Sequence, residues 1–400
     1  MSKTIDIAIV NGARTPMGRY CGKLRDFTAQ ELGAVASTEA MKRSGVEPGE
    51  IDHAVFGNAQ QTSGDAIYGA RHVALKAGVP IEVPALTVNR LCGSGMQSIV
   101  SAAQMIQLGE ATKVLAGGME SMSQAPHVIR GMRWGVGLGE GKLEDSLMVA
   151  LMDSYCGLYM AQTAELYGSQ QGITRDMQDE FALRSQKCAD DAAKAGRLAE
   201  EITAVALRNR RGEPTGEMFT EDDHRRPETT MEGLRKLKAS FGKEGTVTAG
   251  NASGIVDGGA ATVVMSLDEA EKRNLKPMAR IVSWGIAGVD PKIMGQGPVP
   301  SSRIALKKAG LKLDDIDLIE VNEAFAAQYL AVEKELGLNR EKVNVNGGAI
   351  ALGHPLGSTG TRLLITIMHE LRRRKAKYGM TTACIGGGQG IAVIVENLQR

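Results

Sequence analysis

Ala40-Met41-Lys42-Arg43-Ser44-Gly45-Val46 and Ala305-Leu306-Lys307-Lys308-Ala309-Gly310-Leu311 are one pattern written twice, 265 residues apart. Each closes an apolar and basic helical stretch with a glycine stop. The same spacing sets Ile51-Asp52 against Ile316-Asp317, each opening a strand-like apolar run, and Gly93-Ser94-Gly95 against Ser358-Thr359-Gly360. Three matches at one offset mark an internal duplication. Each copy reads helix, glycine stop, strand, strand, glycine turn, helix, strand. This predicts two α/β units packed back to back about a pseudo-twofold axis, with two glycine-started helices facing one cleft.

The first copy takes residues 1–122 and 250–273, with Ala260-Ala261-Thr262-Val263-Val264-Met265 as its last strand, and the second takes 274–400. Residues 123–249 match neither and read as an inserted loop domain. That stretch holds an amphipathic helix with Met177, Phe181, Cys188 and Ala192 on one face. It also holds a charged hairpin-like segment, Arg208-Asn209-Arg210-Arg211-Gly212-Glu213, and the basic Asp223-His224-Arg225-Arg226-Pro227. The basic run is either a solvated face or a grip on a phosphate-bearing substrate.

With 43% hydrophobic and 23% charged residues and a net charge of +1, the chain carries no field to recruit nucleic acid or an anionic membrane. No apolar stretch approaches a membrane span. Five cysteines without regular spacing argue for a reducing compartment, and no Cys/His set has metal-ligand spacing. The first residues run directly into the strand-like Ile5-Asp6-Ile7-Ala8-Ile9-Val10, which predicts no targeting peptide and a cytoplasmic protein.

The glycine turns carry the chemistry. Cys92 lies in Asn89-Arg90-Leu91-Cys92-Gly93-Ser94-Gly95, between an apolar strand and a helix start. It is either a small buried hydrophobe or a nucleophile whose pKa the helix N-terminus lowers. The repeat sets this turn against Gly353-His354-Pro355-Leu356-Gly357, so His354 comes to an equivalent corner, where an imidazole can activate a thiol. Cys384 ends a strand before Ile385-Gly386-Gly387-Gly388, and the Gly386 N–H can face a developing oxyanion. Asn322, in Val321-Asn322-Glu323-Ala324-Phe325, is an N-cap or an amide that holds a water.

Taken in order over nearly the whole chain, these four motifs resemble the thiolase family. The resemblance implies a duplicated, five-layered αβαβα fold with an inserted loop domain, and a homotetramer built as a dimer of dimers. It implies reversible thiolysis of 3-ketoacyl-CoA, with coenzyme A as co-substrate and no permanently bound cofactor or metal. By the same resemblance Cys92 becomes the acyl-accepting nucleophile and His354 its base. Cys384 moves the proton at the α-carbon. Asn322 and its water form one oxyanion hole with His354, and the N–H groups of Cys92 and Gly386 form the other. Ser253 contacts the pantetheine arm, Met294 and Phe325 wall the acyl pocket, and Arg226 meets the nucleotide phosphates. Tyr159-Met160 stands where short-chain biosynthetic thiolases often have His-Met, so Met160 joins the substrate pocket and Tyr159 points to broader short- and medium-chain activity. The alternatives are a decarboxylating ketoacyl synthase, a non-catalytic acyl-CoA carrier on the same fold, and a thiol redox protein.

Overall fold

The computed structural model describes residues 5–139, 141–209, 211–242 and 244–400. The first half contributes β1 (Ile7–Arg14), α1 (Ala29–Ser44), β2 (His53–Gly57), α2 (Gly69–Lys76), β3 (Ala85–Val88), α3 (Ser94–Leu108) and β4 (Lys113–Ser121). After the insertion, which carries α4 (Met160–Gln170) and α5 (Arg175–Lys194), β5 (Val256–Ser266) completes that half. The second half contributes β6 (Ala279–Gly288), α6 (Pro298–Ala309), β7 (Leu318–Val321), α7 (Ala326–Leu336), α8 (Leu356–Arg374), β8 (Tyr378–Ile385) and β9 (Gln389–Asn397).

The strands form one path, β7-β8-β9-β6-β1-β5-β4-β2-β3, with the short strand Gly18–Arg19 paired to β5. Its two halves mirror each other. β2 runs parallel to β4, as β7 does to β8, while β4–β5 and β8–β9 are antiparallel. The halves join where β1 pairs antiparallel with β6 through Ile7 and Ile281.

Side-chain alternation builds the layers. On β9, Ile391, Val393 and Val395 point into the core shared with α3 and α8, while Ala392 and Ile394 point to the outer core with α6 and α7. On β4, Val114 and Ala116 face the shared core, and Leu115 and Met119 face α1 and α2. The layers are therefore outer helices, sheet, α3 with α8, sheet, outer helices. Thr28 starts α1 with a reciprocal capping box to Glu31, and Gly45 stops it at φ +64; Gly310 stops α6 in the same way.

The pseudo-twofold axis runs where α3 crosses α8. A Cβ on Gly95 would sit 2.6 Å from the Thr361 backbone nitrogen, and one on Gly360 would collide with the Met96 nitrogen. The two glycines are the repeat-equivalent pair. Only glycine lets the backbones approach this closely.

Within the insertion, Val205–Arg208 and Pro214–Phe219 pair as the expected hairpin, and Arg210 lies outside the described residues. The α5 face differs from the sequence expectation. Phe181 and Ala192 are buried, but Met177 is 40% exposed and Cys188 half-buried. The inward face also uses Gln178, Ser185 and Gln186, which hydrogen-bond to neighbouring segments, so apolarity alone misjudged it.

Candidate active site

β3 hands over to α3 through a strained turn. Leu91 stands at φ +45, a region that costs a non-glycine residue about 1–3 kcal/mol. Asn89 holds it there: its Oδ1 accepts from the Leu91 N–H at 2.9 Å, and its Nδ2 donates to Ala59 O at 3.1 Å. Cys92 follows in a single 3-10 turn, Leu91–Gly93, that leads into α3.

The Cys92 thiol corrects one expectation. Burial pushes its pKa up to about 11, Glu120 adds to the rise, and the backbone N–H groups of Gly386 and Cys92 only partly oppose it. A helix terminus is worth about half a charge, too little to outweigh desolvation of a thiolate. The resting group is therefore a protonated thiol that needs a base.

His354 presents a neutral, oriented imidazole. It precedes α8 and is 5% exposed. Thr359 Oγ1 lies 2.6 Å from Nδ1 and donates its own proton to Pro355 O at 3.0 Å. The hydroxyl proton is thereby used, so Nδ1 carries a hydrogen and Nε2 keeps its lone pair. Asn322 Nδ2 lies 3.3 Å from that Nε2. Burial, with Arg362 adding, lowers the imidazole pKa to about 3, so the ring is neutral at physiological pH.

Asn322 does not cap a helix: Phe325 occupies the N-cap of α7. The Asn322 amide is buried, and its Oδ1 takes no proton from a described residue. Next to it, buried Glu323 accepts from Ser185 Oγ (2.6 Å), Asn344 Nδ2 (2.8 Å) and Ile350 N (3.2 Å), which fixes the corner.

Cys384 lies at the end of β8, fully buried, packed with Met294 and Ala324 and flanked by Met160 and Phe325. Burial drives its pKa well above the ordinary thiol value, and the neighbouring Cys92 adds to the rise. All five cysteines are free thiols. After Cys384 the Gly386–Gly388 turn reverses the chain, with Gly387 and Gly388 at φ +79 and +80.

A cavity of about 210 Å³ reaches Cys92 and His354 but not Asn322 or Cys384, and Gly386 borders a second cavity with Cys92. Cys92, His354, Ser253, Met294, Phe325 and Met160 all line the first. Tyr159 lines it too, its ring 5.1 Å from Phe241. Arg226 is elsewhere: it borders an adjoining cavity of about 220 Å³ with His224, Ala249 and Gly250. Among the described residues no group of three or more His, Cys, Asp or Glu could hold a metal ion. Sequence reasoning missed Thr359, whose hydroxyl fixes the histidine tautomer, and Glu120. Thr359 sat in plain view, one helical turn after Pro355 in the quoted glycine motif.

Comparison with known proteins agrees with this geometry. The profile of the thiolase N-terminal domain matches residues 7–268 and that of the C-terminal domain residues 275–397. The chain is 52% identical to human mitochondrial 3-ketoacyl-CoA thiolase over 392 residues, covering 98% of each. It is 49% identical to beta-ketothiolase BktB of Cupriavidus necator, covering 99% of this chain and all of that one. The crystal structure of the human mitochondrial enzyme in complex with CoA superposes with a TM-score of 0.96 at 51% identity, covering 98% of both chains. Duplicated halves, paired glycine turns and full-length likeness lead to one assignment: the chain belongs to the thiolase family.

Proposed function

We propose that this chain carries out reversible thiolysis of 3-ketoacyl-CoA to acetyl-CoA and a shortened acyl-CoA, and the reverse Claisen condensation, by ping-pong catalysis on Cys92. The observation that carries this reading is the gathering of unlike groups about one thiol. Neutral His354 lines the same cavity as Cys92, Gly386 borders a second cavity with it, and Cys92 lies near enough to Cys384 to raise its pKa.

In thiolysis the Cys92 proton passes to His354 Nε2 as sulfur attacks the 3-keto carbon. The C2–C3 bond breaks, its electron pair stays on C2 as an acetyl-CoA enolate, and the Cys384 thiol protonates that carbon. Coenzyme A then gives its thiol proton to the Cys384 thiolate and attacks the acyl-Cys92 thioester. Cys92 leaves as thiolate and recovers its proton from His354. A thiol held well above its usual pKa remains a proton donor until a carbanion forms, and its thiolate is the stronger base in the condensation direction. A neutral imidazole offers the free lone pair that proton acceptance needs, and because its lowered pKa makes it a weak base, the proton moves in step with attack on the carbonyl carbon. The N–H groups of Cys92 and Gly386 supply one oxyanion site. A water on Asn322, with His354, supplies the other, and each such donor contributes about 3–4 kcal/mol.

Ser253, whose backbone N–H bonds Ala324 O at 3.0 Å, sits where a pantetheine arm would pass. Exposed Arg226, in the adjoining cavity, is suited to the nucleotide phosphates. We assign residues 123–249 to CoA binding and subunit contacts, and the flanking halves to catalysis. A homotetramer is supported by the exposed edge strand β3 with Leu86 outward, and by Trp134 at 84% exposure in the insertion. Among the described residues no helix is long and apolar enough to cross a membrane, and five free thiols support a reducing compartment, the cytoplasm in our reading.

The cavity wall of Met122, Leu151, Tyr159, Phe241 and Leu356 supports activity on short and medium chains. A thiolysis assay across 3-ketoacyl-CoA chain lengths tests this. Turnover on acetoacetyl-CoA and on longer substrates is expected; a protein that consumes none of them in the presence of CoA contradicts the proposal.

A further inference from the structure

Glu120 ends β4, is fully buried, and lies outside every step above. Four donors bond its carboxylate. Oε1 accepts from Asn58 Nδ2 at 2.9 Å and Gln60 N at 3.0 Å. Oε2 accepts from Ala59 N at 3.0 Å and Gly357 N at 2.8 Å. Three of these donors belong to the loop after β2 in the first half. The fourth, Gly357, opens α8 in the second half, three residues past His354, and is the repeat-equivalent of Cys92.

The carboxylate thus completes a continuous path between the two catalytic turns. Asn89 pins Leu91 on one side and Ala59 O on the other. The Ala59 N–H binds Glu120, and Glu120 binds the Gly357 N–H in the turn that presents His354. The turn is also tightly seated: a Cβ on Gly357 would lie 2.8 Å from Gly57 O, so the two halves meet here through backbone. We propose that Glu120 is a positioning residue that sets the His354 turn against the Cys92 turn, and that its task requires a carboxylate. An amide in its place would aim its –NH₂ at a backbone N–H in either orientation, that of Gln60 on one side or those of Ala59 and Gly357 on the other. Misplacement of a catalytic group by an ångström can cost about a hundredfold in rate. Burial pushes the Glu120 pKa up to about 7, the cradle of N–H groups opposes this, and Asp257 adds to the rise. Its charge in turn raises the Cys92 pKa.

The inference rests on the roles given above to Cys92 and His354, which acetylation of wild-type Cys92 checks separately. The test is Glu120→Gln in the full-length enzyme. Thiolysis kinetics and the pH dependence of Cys92 alkylation by iodoacetamide are measured beside thermal unfolding and the elution volume. The expected result is a kcat reduced about tenfold or more, a KM for CoA within about twofold, and an alkylation midpoint moved to lower pH. Wild-type kcat, or a loss that follows only a lower Tm with the alkylation midpoint unmoved, overturns the proposal. If Glu120→Gln does not fold, Asn58→Ala keeps the carboxylate and removes one donor. A kcat lowered about threefold at unchanged KM supports the role, and wild-type kcat refutes it.

Discussion

Replacing Thr359 by valine tests how the base is prepared. The change is nearly isosteric, so the cavity wall keeps its shape. It removes the oxygen 2.6 Å from His354 Nδ1. In the buried ring the Nδ1–H then has no acceptor, at a cost of about 1–3 kcal/mol. The imidazole escapes that cost by moving its proton to Nε2, which leaves no lone pair for the Cys92 proton and sets N–H against the Asn322 amide, 3.3 Å away. Each 1.36 kcal/mol of tautomer preference is a factor of ten, so kcat/KM should fall about 10- to 100-fold. The direct assay is rapid-quench measurement of Cys92 acylation by acetyl-CoA, with steady-state thiolysis of acetoacetyl-CoA beside it. Thr359→Ser, which keeps the hydroxyl, should remain within about threefold of wild type. If valine acylates as fast as serine, the hydroxyl does not set the tautomer and the argument fails.

Other consequences follow from the same geometry. Cys384→Ala should slow condensation by orders of magnitude while acylation of Cys92 changes little; equal loss in both steps contradicts its role at the α-carbon. Because burial holds the Cys92 thiol near a pKa of about 11, its alkylation rate should climb steadily from pH 7 to 10, and a plateau below pH 8 would reveal a preformed thiolate. Gly95→Ala drives a methyl group to 2.6 Å from the Thr361 nitrogen at the α3–α8 crossing, so urea unfolding should show a loss of about 1–3 kcal/mol or more. Tyr159→His should move preference toward acetoacetyl-CoA, read as the ratio of kcat/KM on short and longer substrates.

The duplicated core was legible because its signals are local and written twice. Gly45 and Gly310 stop equivalent helices, and β2 and β7 open at Ile51 and Ile316 plus two residues in both copies. Cys92 and Cys384 could be singled out because each lies at a strand end beside a glycine turn, whereas His354 lies between the short helix Ala349–Leu352 and α8, and Asn322 follows β7 with no glycine beside it. What stayed hidden depends on partners remote in sequence. Glu120 meets Gly357 across 237 residues, a contact no spacing rule indicates. The direction of the Cys92 shift was misread because a helix terminus is visible in sequence and the desolvation of a half-buried thiol is not. Met177 was assigned inward because the buried face of α5 is partly polar: Ser185 there serves Glu323 rather than an apolar core.

The central claim is that Cys92 carries the acyl group. Incubating the protein with acetyl-CoA alone, quenching, and mapping the modified peptide by mass spectrometry tests it most directly. The account predicts one acetyl group on Cys92 that free CoA removes. An acetyl group on any other residue, or a Cys92–Cys384 disulfide as the working state, would contradict it.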